Sequence, residues 1–265
     1  MSIPELRKRK YPEKILLGSL AGSGTLGLLI PPSIILIIYG VAVQESIAKL
    51  FIAGIIPGIM IALIFMGYVI LWSLFNKKEM PSINNQYSFI DKIKRSGQLI
   101  PVIILILSVI GSIYTGIATA TEAASLGVVG ALILSYFQKS LNLKTFKESL
   151  LGATKTSCMI AFILAGATFL SLAMGFTGLP RNLAIWIQNM ELSPYVLIFV
   201  LMIFYIILGM FLDGISAVVL TMAIIEPMIR QAGFDMIWFG IFLVIVVEMA
   251  QITPPVGFNL FVLQG

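Results

Sequence analysis

Helix-breaking residues interrupt two long apolar stretches of this sequence at positions that could bind a cation. Three glycines lie within residues 22–27 and Pro31-Pro32 follow closely, while Thr253-Pro254-Pro255 interrupt the second stretch. Proline has no N–H, so it leaves carbonyl oxygens without a helical partner, which is costly in an apolar environment. A dehydrated Na⁺ is a suitable partner for such oxygens. The alternatives are a glycine-rich packing seam at the first interruption and a proline kink satisfied by neighbouring helices at the second.

A third interruption contains an acidic residue in an otherwise apolar stretch. Asp213-Gly214 lie in the middle of residues 194–230. A carboxylate at the centre of a bilayer costs about 3 kcal/mol, so such residues are normally interior and functional. The helix that starts after Gly214 would direct its positive N-terminus to the same place, where an anion could dock. Asp213 therefore has two possible roles, a cation ligand or the N-cap of that helix.

The interruptions provide two sets of candidate binding residues. The set for a coupling cation, taken as Na⁺, comprises Gly22, Ser23, Thr25, Gly209, Asp213 and Thr253. The set for an anionic substrate comprises Ser33, Asp213, Gly214, Ser216 and Asn259. Glu248, on the second interrupted stretch, is a further functional candidate. Glu122, in contrast, has the spacing from Thr119 that is typical of a helix-capping box.

The composition places these residues in a membrane protein. Of the 265 residues, 59% are hydrophobic and 11% are charged, and the mean hydropathy is +1.04. A soluble domain carries about 25% charged residues, so this chain could not cover its surface in water. Soluble enzymes, nucleic-acid binders and secreted disulfide scaffolds are thereby excluded. Because the sequence has no histidine and one cysteine, Cys158, it also excludes His-based catalysis and an internal disulfide.

The apolar stretches predict an all-α, polytopic protein in which a hairpin enters the membrane without crossing it. Fourteen basic residues lie in segments 1–14, 76–98 and 138–155 and three lie elsewhere, which places those segments in the cytoplasm. The alternation of inner and outer loops is consistent only if residues 194–230 enter and leave on the outer side as a re-entrant hairpin. Spans or broken spans are predicted at 15–43, 49–75, 99–117, 123–137, 156–177 and 236–262, and interfacial helices at 140–155 and 181–191.

A weak internal repeat relates the two proline-interrupted stretches. A shift of 223 residues places Pro31-Pro32 on Pro254-Pro255. The first copy starts on the inner side of the membrane, whereas the second starts on the outer side. Two broken helices in opposite orientations are typical of inverted-repeat secondary transporters.

Four motifs resemble the DctM-type large membrane subunit of tripartite ATP-independent periplasmic (TRAP) transporters. They are GSGTLGLLIPPS at 22–33, TATEAA at 119–124, LGMFLD at 208–213 and ITPPVGFNLFV at 252–262. The resemblance runs from about residue 7 to the last residue, and it departs from the family at Ala120 and Gly214, where proline is frequent. It implies an elevator-type Na⁺/carboxylate symporter of the bacterial inner membrane. It also implies a small DctQ-like membrane subunit and a periplasmic substrate-binding protein as partners.

The resemblance also implies how the chain is divided. Residues 1–48 would form the first discontinuous helix of a transport domain, 49–193 mostly scaffold with interfacial arm helices, and 194–265 the re-entrant hairpin with the second discontinuous helix. The family's first half, with its own hairpin, has no counterpart here, and the ten residues 256–265 are too few to complete a crossing. We therefore expect a fragment or the product of a split gene that does not transport alone.

The leading functional hypothesis is Na⁺-coupled uptake of a small organic anion, a C4-dicarboxylate or a related carboxylate. Two alternatives stay open on the same residues. A cation channel could use the broken helices as a filter, and a proton-coupled anion symporter could use Asp213 and Glu248 as proton carriers. No enzymatic activity, no nucleic-acid partner and no cofactor besides the coupling ion are expected.

Overall fold

The protein is all-α, as the sequence predicts. The computed structural model describes residues 2–77, 79–80, 97, 99–189 and 193–257, and helices without any strand make up the regular structure of those residues. The helices are α1 (Ser2–Lys8), α2 (Glu13–Leu29), α3 (Ile34–Ala42), α4 (Ile47–Phe75), α5 (Ile100–Tyr114), α6 (Ala120–Phe137), α7 (Leu143–Thr177), α8 (Leu179–Asn189), α9 (Pro194–Gly209), α10 (Gly214–Gln231) and α11 (Met236–Gln251).

Several of these helices are long and apolar enough to cross a membrane. Within the described residues α4, α6, α7 and α10 each qualify by length and composition, and α2 with α3 qualifies as a fifth span bent by 40°. The shorter apolar helices are α5, α9 and α11. A helix of about 20 apolar residues matches the hydrocarbon thickness, so the prediction of a polytopic membrane protein is confirmed.

The chain folds as two compact units. The first comprises residues 1–81 and 163–265, and the second comprises residues 82–162. In the first unit α11 packs against α2, α3, α4, α9 and α10, so it lies at the centre of the core. In the second unit α5 packs on α6. The predicted capping box is present at the start of α6, where Glu122 N–H donates to Thr119 Oγ1 and Thr119 N–H to Glu122 Oε2.

The glycine run 22–27 does not interrupt its helix, which corrects one prediction. Residues 13–29 form one continuous helix, α2, and the break lies at 30–33. Thr25 Oγ1 donates to the Gly22 carbonyl at 2.8 Å, and Ser23 Oγ donates to the Leu20 carbonyl at 3.3 Å. Glycine lowers helix propensity by only about 1 kcal/mol, whereas each proline removes a donor outright, so the prolines alone set the break.

The predicted interfacial helix at 140–155 is not separate from the span that follows it. Helix α7 is continuous over 35 residues, from Leu143 to Thr177. At 1.5 Å per residue it is about 52 Å long, well over the thickness of a hydrocarbon core. The amphipathic residues therefore begin the same helix that carries the apolar ones. Helix α8, in contrast, closely matches the predicted interfacial helix at 181–191.

The two proline breaks occupy equivalent places in their helices. Helix α2 begins at Glu13 and α11 at Met236, a separation equal to the 223-residue shift of the repeat. With the same shift, the ends of the two helices differ by one residue. Pro31-Pro32 and Pro254-Pro255, which follow these ends, both contain a cis peptide bond. The sequence repeat thus corresponds to a repeat of secondary structure.

The chain turns back on itself between α9 and α10, as the hairpin prediction requires. Tyr205 on α9 and Thr221 on α10 are hydrogen-bonded through their hydroxyl groups at 2.7 Å. Since Thr221 Oγ1 donates to the Ala217 carbonyl at 2.7 Å, Tyr205 is the donor of the pair. Two residues that are 16 positions apart would lie about 24 Å from each other along a straight helix. Only a hairpin brings them into contact.

This buried hydrogen bond should stabilise the hairpin measurably. We expect Tyr205→Phe to lower the free energy of unfolding by about 1 kcal/mol, because Thr221 Oγ1 loses a buried donor. Thermal unfolding in detergent would show this as a decrease in Tm of about 3 °C. Tyr195→Phe is the matched control, since Tyr195 is 83% exposed at the start of α9. If Tyr205→Phe lowered the Tm by the same amount in a protein that already carries Thr221→Val, the hydrogen bond between the two hydroxyl groups would not be the cause.

Two polar contacts connect the early helices to the late ones. Tyr39 Oη, which is buried on α3, donates to the Met236 carbonyl at 2.6 Å. Arg230, near the end of α10, donates from Nη2 to the Val43 carbonyl at 3.2 Å and lies 3.6 Å from Glu45 Oε1. These contacts hold α3 and the α3–α4 connection against α10 and α11.

Candidate functional site

The hairpin tip touches the first broken helix. A β-carbon placed on Gly214, the first residue of α10, would lie 2.6 Å from Ile35 Cδ1 and 2.6 Å from Gln251 Nε2. Ile35 is the second residue of α3, directly after the Pro31-Pro32 break. The absence of a side chain at Gly214 therefore allows the starts of α3 and α10 to meet beside the end of α11.

The same tip also touches the second broken helix through Gly209. A β-carbon on Gly209, the last residue of α9, would lie 2.6 Å from Ala250 Cβ. Ala250 is next to the last residue of α11, a few positions before Pro254-Pro255. The hairpin tip, which comprises residues 209–214, thus contacts residues beside both breaks. This arrangement brings three of the interruptions identified in the sequence into one site.

Two helix N-termini meet at this site, and each has a side-chain cap. Ser33 Oγ accepts from Leu36 N–H at 3.2 Å on α3. Asp213 Oδ2 accepts from the N–H groups of Ile215 and Ser216 at 3.1 Å on α10. The positive ends of two helix dipoles therefore converge, which favours a bound anion. Of the two roles left open for Asp213, the N-cap is the one that the structure shows.

The breaks also leave carbonyl oxygens without their usual helical donors. Pro31 has no N–H to donate to the Gly27 carbonyl, and Pro255 has none for the Gln251 carbonyl. Ser33 replaces one missing donor, since its Oγ donates to the Leu28 carbonyl. Thr253 Oγ1 donates to the Met249 carbonyl at 2.7 Å. Among the described residues no three His, Cys, Asp or Glu side chains cluster, so a cation here would depend on carbonyl and hydroxyl oxygens.

One acidic side chain is buried in the core of α11. Glu248 is 4% exposed, and its Oε1 has no hydrogen-bond partner among the residues that the structure describes. An ionised carboxylate in such a place carries a large desolvation cost unless a cation or a proton neutralises it. Glu248 lies three residues before Gln251, so it belongs to the helix that forms one side of the candidate site.

The structure brings together some of the residues predicted for the site and separates others from it. Gly209, Asp213 and Gly214 lie at the hairpin tip, and Ser216 is in the first turn of α10. Ser33 caps α3 beside the tip, but its hydroxyl is engaged on both sides. Gly22, Ser23 and Thr25 lie inside α2, one to two turns before its break, and Asn259 lies outside the described residues.

The list of candidate residues derived from the sequence missed Gln251. Its amide nitrogen lies 2.6 Å from the position that a β-carbon on Gly214 would take, and the residue is 5% exposed. The sequence does contain an indication of its role, because Gln251, like Asn259, is an amide in an apolar half-helix next to a proline break. Only the contact with Gly214, which lies 37 positions earlier in the chain, identifies Gln251 as part of the site.

Comparison with known proteins agrees with this architecture. The family model described as "Tripartite ATP-independent periplasmic transporter, DctM component" matches residues 1–265. The C4-dicarboxylate TRAP transporter large permease protein DctM of Pseudomonas aeruginosa is 32% identical over 99% of this chain and 61% of its own length. The isethionate TRAP transporter permease protein DctMQ of Oleidesulfovibrio alaskensis is 31% identical over 100% of this chain and 42% of its own.

A third relative is named for a different acid. The 2,3-diketo-L-gulonate TRAP transporter large permease protein YiaN of Escherichia coli is 31% identical over 99% of this chain and 61% of its own length. The chain thus spans less than two thirds of the length of each of these three relatives. With a family match over all of its residues, the chain belongs to the DctM family of TRAP-transporter large permease proteins, and it is a multi-pass protein of the bacterial inner membrane.

Proposed function

We propose that the permease containing this chain takes up a small organic anion and couples that uptake to inward movement of Na⁺. The observation that carries the proposal is the position of the hairpin tip, which contacts both broken helices at Ile35 and at Ala250. A single ligand-binding region then has two helix N-termini for an anion and unpartnered carbonyl oxygens for a cation. Binding of the two ions at one place is what symport requires.

The anion would be a carboxylate or a sulfonate. The relatives are named for a C4-dicarboxylate, for isethionate and for 2,3-diketo-L-gulonate, and all of these are small acids. The two helix starts, at Ser33 and Asp213, supply helix dipoles rather than fixed positive charges. Their caps already accept from the N–H groups of Leu36, Ile215 and Ser216. Such a site suits an anion that has to leave again during each transport cycle.

The partners of this permease would be a small DctQ-like membrane subunit and a periplasmic substrate-binding protein. The relative named DctMQ supports the first of these, since its name joins the two membrane components. A binding protein that delivers the anion would make the first selection among substrates. The substrate class would then depend only partly on the residues of this chain.

Proteoliposomes test this proposal directly. The complete permease that contains this chain would be reconstituted with its small subunit, and its binding protein would be added outside with radiolabelled succinate or isethionate. We expect accumulation only with an inward Na⁺ gradient and only with the binding protein present. Cation current without any anion would support a channel instead, and accumulation driven by a pH gradient alone would support proton coupling.

Proton coupling is the second candidate, and Glu248 is the observation that favours it. Its carboxyl group is buried with one oxygen unpartnered among the described residues, as expected of a group that alternates between a proton and another partner. A bound Na⁺ would provide a partner for the carbonyl oxygens at the two breaks as well as for the carboxyl group of Glu248. For that reason we place Na⁺ first.

Replacement of Asp213 should separate its structural role from a role in ion binding. Asparagine caps helices as well as aspartate does, so Asp213→Asn should leave the start of α10 intact. Loss of its charge should raise the Na⁺ concentration for half-maximal uptake about tenfold, because bonds to charged groups are the stronger ones. Asp213→Ala should in addition lower the stability by about 1 kcal/mol. If Asp213→Asn leaves the Na⁺ dependence unchanged, Asp213 is a cap alone.

A further inference from the structure

Two apolar cavities adjoin where α6 meets α7, at a place that transport does not explain. The larger has a volume of about 510 Å³ and lies between Val128, Ala131 and Leu132 of α6 and Phe146, Leu150 and Ala153 of α7. The smaller, a shallow and open depression of about 390 Å³, shares Leu132 and Phe146 with it. All of these residues belong to the second compact unit. We call residues 128–155 of this unit the α6–α7 elbow.

The elbow is held in shape by its own hydrogen bonds. Ser140 and Leu141 donate their N–H groups to the Ser135 carbonyl at 3.0 and 3.1 Å. Thr145 N–H donates to Asn142 Oδ1 at 2.8 Å, and Thr145 Oγ1 donates to the Ser140 carbonyl at 3.1 Å. The hydroxyl of Thr145 is therefore already bonded within the chain. What remains available to a ligand in the cavities is largely apolar surface.

The charges around the elbow are strongly of one sign. Four lysines and one glutamate lie between residues 138 and 155. Within the part of the chain that the structure describes, no ion pair involves these lysines, which are Lys139, Lys144, Lys147 and Lys155. Lys147 lies three positions before Leu150, so helical spacing places its side chain next to the apolar face of α7 that lines the larger cavity, and Lys144 lies beside Lys147. An apolar face bordered by lysines is typical of a helix at the level of lipid headgroups.

The larger cavity is long enough to hold part of a hydrocarbon chain. It extends along α6 from Ser135 to Val128, which is about 10 Å at 1.5 Å per residue. The elbow follows the end of a candidate span at Phe137, and the basic residues place this end on the cytoplasmic side. Its apolar walls are open, since Leu150 is 56% exposed and Val128 is 61% exposed. Two such cavities side by side suit a ligand with two chains.

We propose that the α6–α7 elbow binds an anionic phospholipid of the cytoplasmic leaflet. The two acyl chains occupy the two cavities, and the phosphate lies among Lys139, Lys144 and Lys147. A zwitterionic lipid offers the same chains but no net charge, so the lysines make the site selective for anionic headgroups. The proposal does not depend on the substrate or on the coupling ion.

Native mass spectrometry of the purified permease complex tests this site. The complex would be equilibrated with equal amounts of palmitoyl-oleoyl phosphatidylglycerol and phosphatidylcholine, and the lipid retained on it would be measured. We expect phosphatidylglycerol to be retained about fivefold more, with that preference lost in Lys144→Gln/Lys147→Gln. Lys77→Gln, at the end of α4, is the matched control for charge and should keep the preference.

A second pair of variants tests the cavity. Ala131→Trp fills the larger cavity and should reduce retention of both lipids about fivefold, because it removes apolar area for the acyl chains. Ala124→Trp is the control, since Ala124 is an exposed residue of α6 that does not line the cavity. Equal retention of both lipids by the unmodified complex would overturn the proposal. So would retention that disappears whenever the small membrane subunit is present, because a protein would then cover the elbow.

Discussion

Replacing Gly209 with alanine should lower the stability of the permease by about 2 kcal/mol and reduce uptake about tenfold or more. The new methyl group would lie 2.6 Å from Ala250 Cβ, far inside van der Waals contact. Neither atom can rotate away, because both are attached directly to helical backbone. Helices α9 and α11 must therefore separate, and the hairpin tip moves away from the second break.

The double variant Gly209→Ala/Ala250→Gly provides a direct check of this mechanism. It exchanges the positions of the methyl group and the hydrogen, so the helices can approach as before and uptake should largely return. Gly24→Ala is the matched control, since a β-carbon there meets nothing within 4 Å. That control should leave uptake unchanged and stabilise α2 slightly, because alanine is the better helix former. Failure of the double variant to recover would show that contact with Ala250 is not the cause.

Glu248→Gln should leave the protein folded but remove most of its response to the coupling ion. Glutamine has the shape of glutamate and no charge, so it removes the need for a neutralising cation in the core. In the unmodified permease Na⁺ should raise the unfolding temperature in detergent, because a ligand of the folded state stabilises it. We expect most of that increase to disappear in Glu248→Gln and uptake to fall about tenfold.

The control for Glu248 uses the same chemical change at an exposed position. Glu122→Gln removes one carboxylate from the start of α6, where glutamine also satisfies the capping box. It should keep both uptake and the stabilisation by Na⁺. If Glu248→Gln instead loses pH dependence while Na⁺ still stabilises it, the permease is coupled to protons through this residue. A variant that keeps full Na⁺ stabilisation and full uptake would exclude Glu248 from coupling.

Much of this architecture could be predicted from the sequence because lipid imposes simple rules. Every backbone group at membrane depth needs a partner, so apolar length and proline position determine most of the helices. The hairpin followed from counting basic residues, and the Tyr205–Thr221 bond confirms that the chain reverses there. The placement of the basic segments in the cytoplasm remains a prediction, which depends on the positive-inside bias of a few residues.

The parts that sequence reasoning got wrong concern competing local preferences. Glycines in 22–27 suggested an interruption, but a helix tolerates them when the surrounding residues are apolar and Thr25 bonds back to Gly22. The start of α7 was separated from its span because the hydropathy changes near residue 155, although nothing there breaks a helix. Gln251 was missed because its role depends on a tertiary contact with Gly214. Hydropathy indicates which residues prefer lipid, but it does not determine where a helix ends.

The long-range contacts of Tyr39 and Arg230 have a consequence for how the chain is made. Tyr39 bonds to a residue 197 positions later, and Arg230 to one 187 positions earlier. At 5–20 residues per second, a ribosome needs about 10–40 s to synthesise that interval. During this time α3 is already in the membrane with its polar partner not yet made. During synthesis the hydroxyl group of Tyr39 is therefore in the membrane before its acceptor exists. We expect lipid headgroups, the insertion machinery or another subunit to shield it until then.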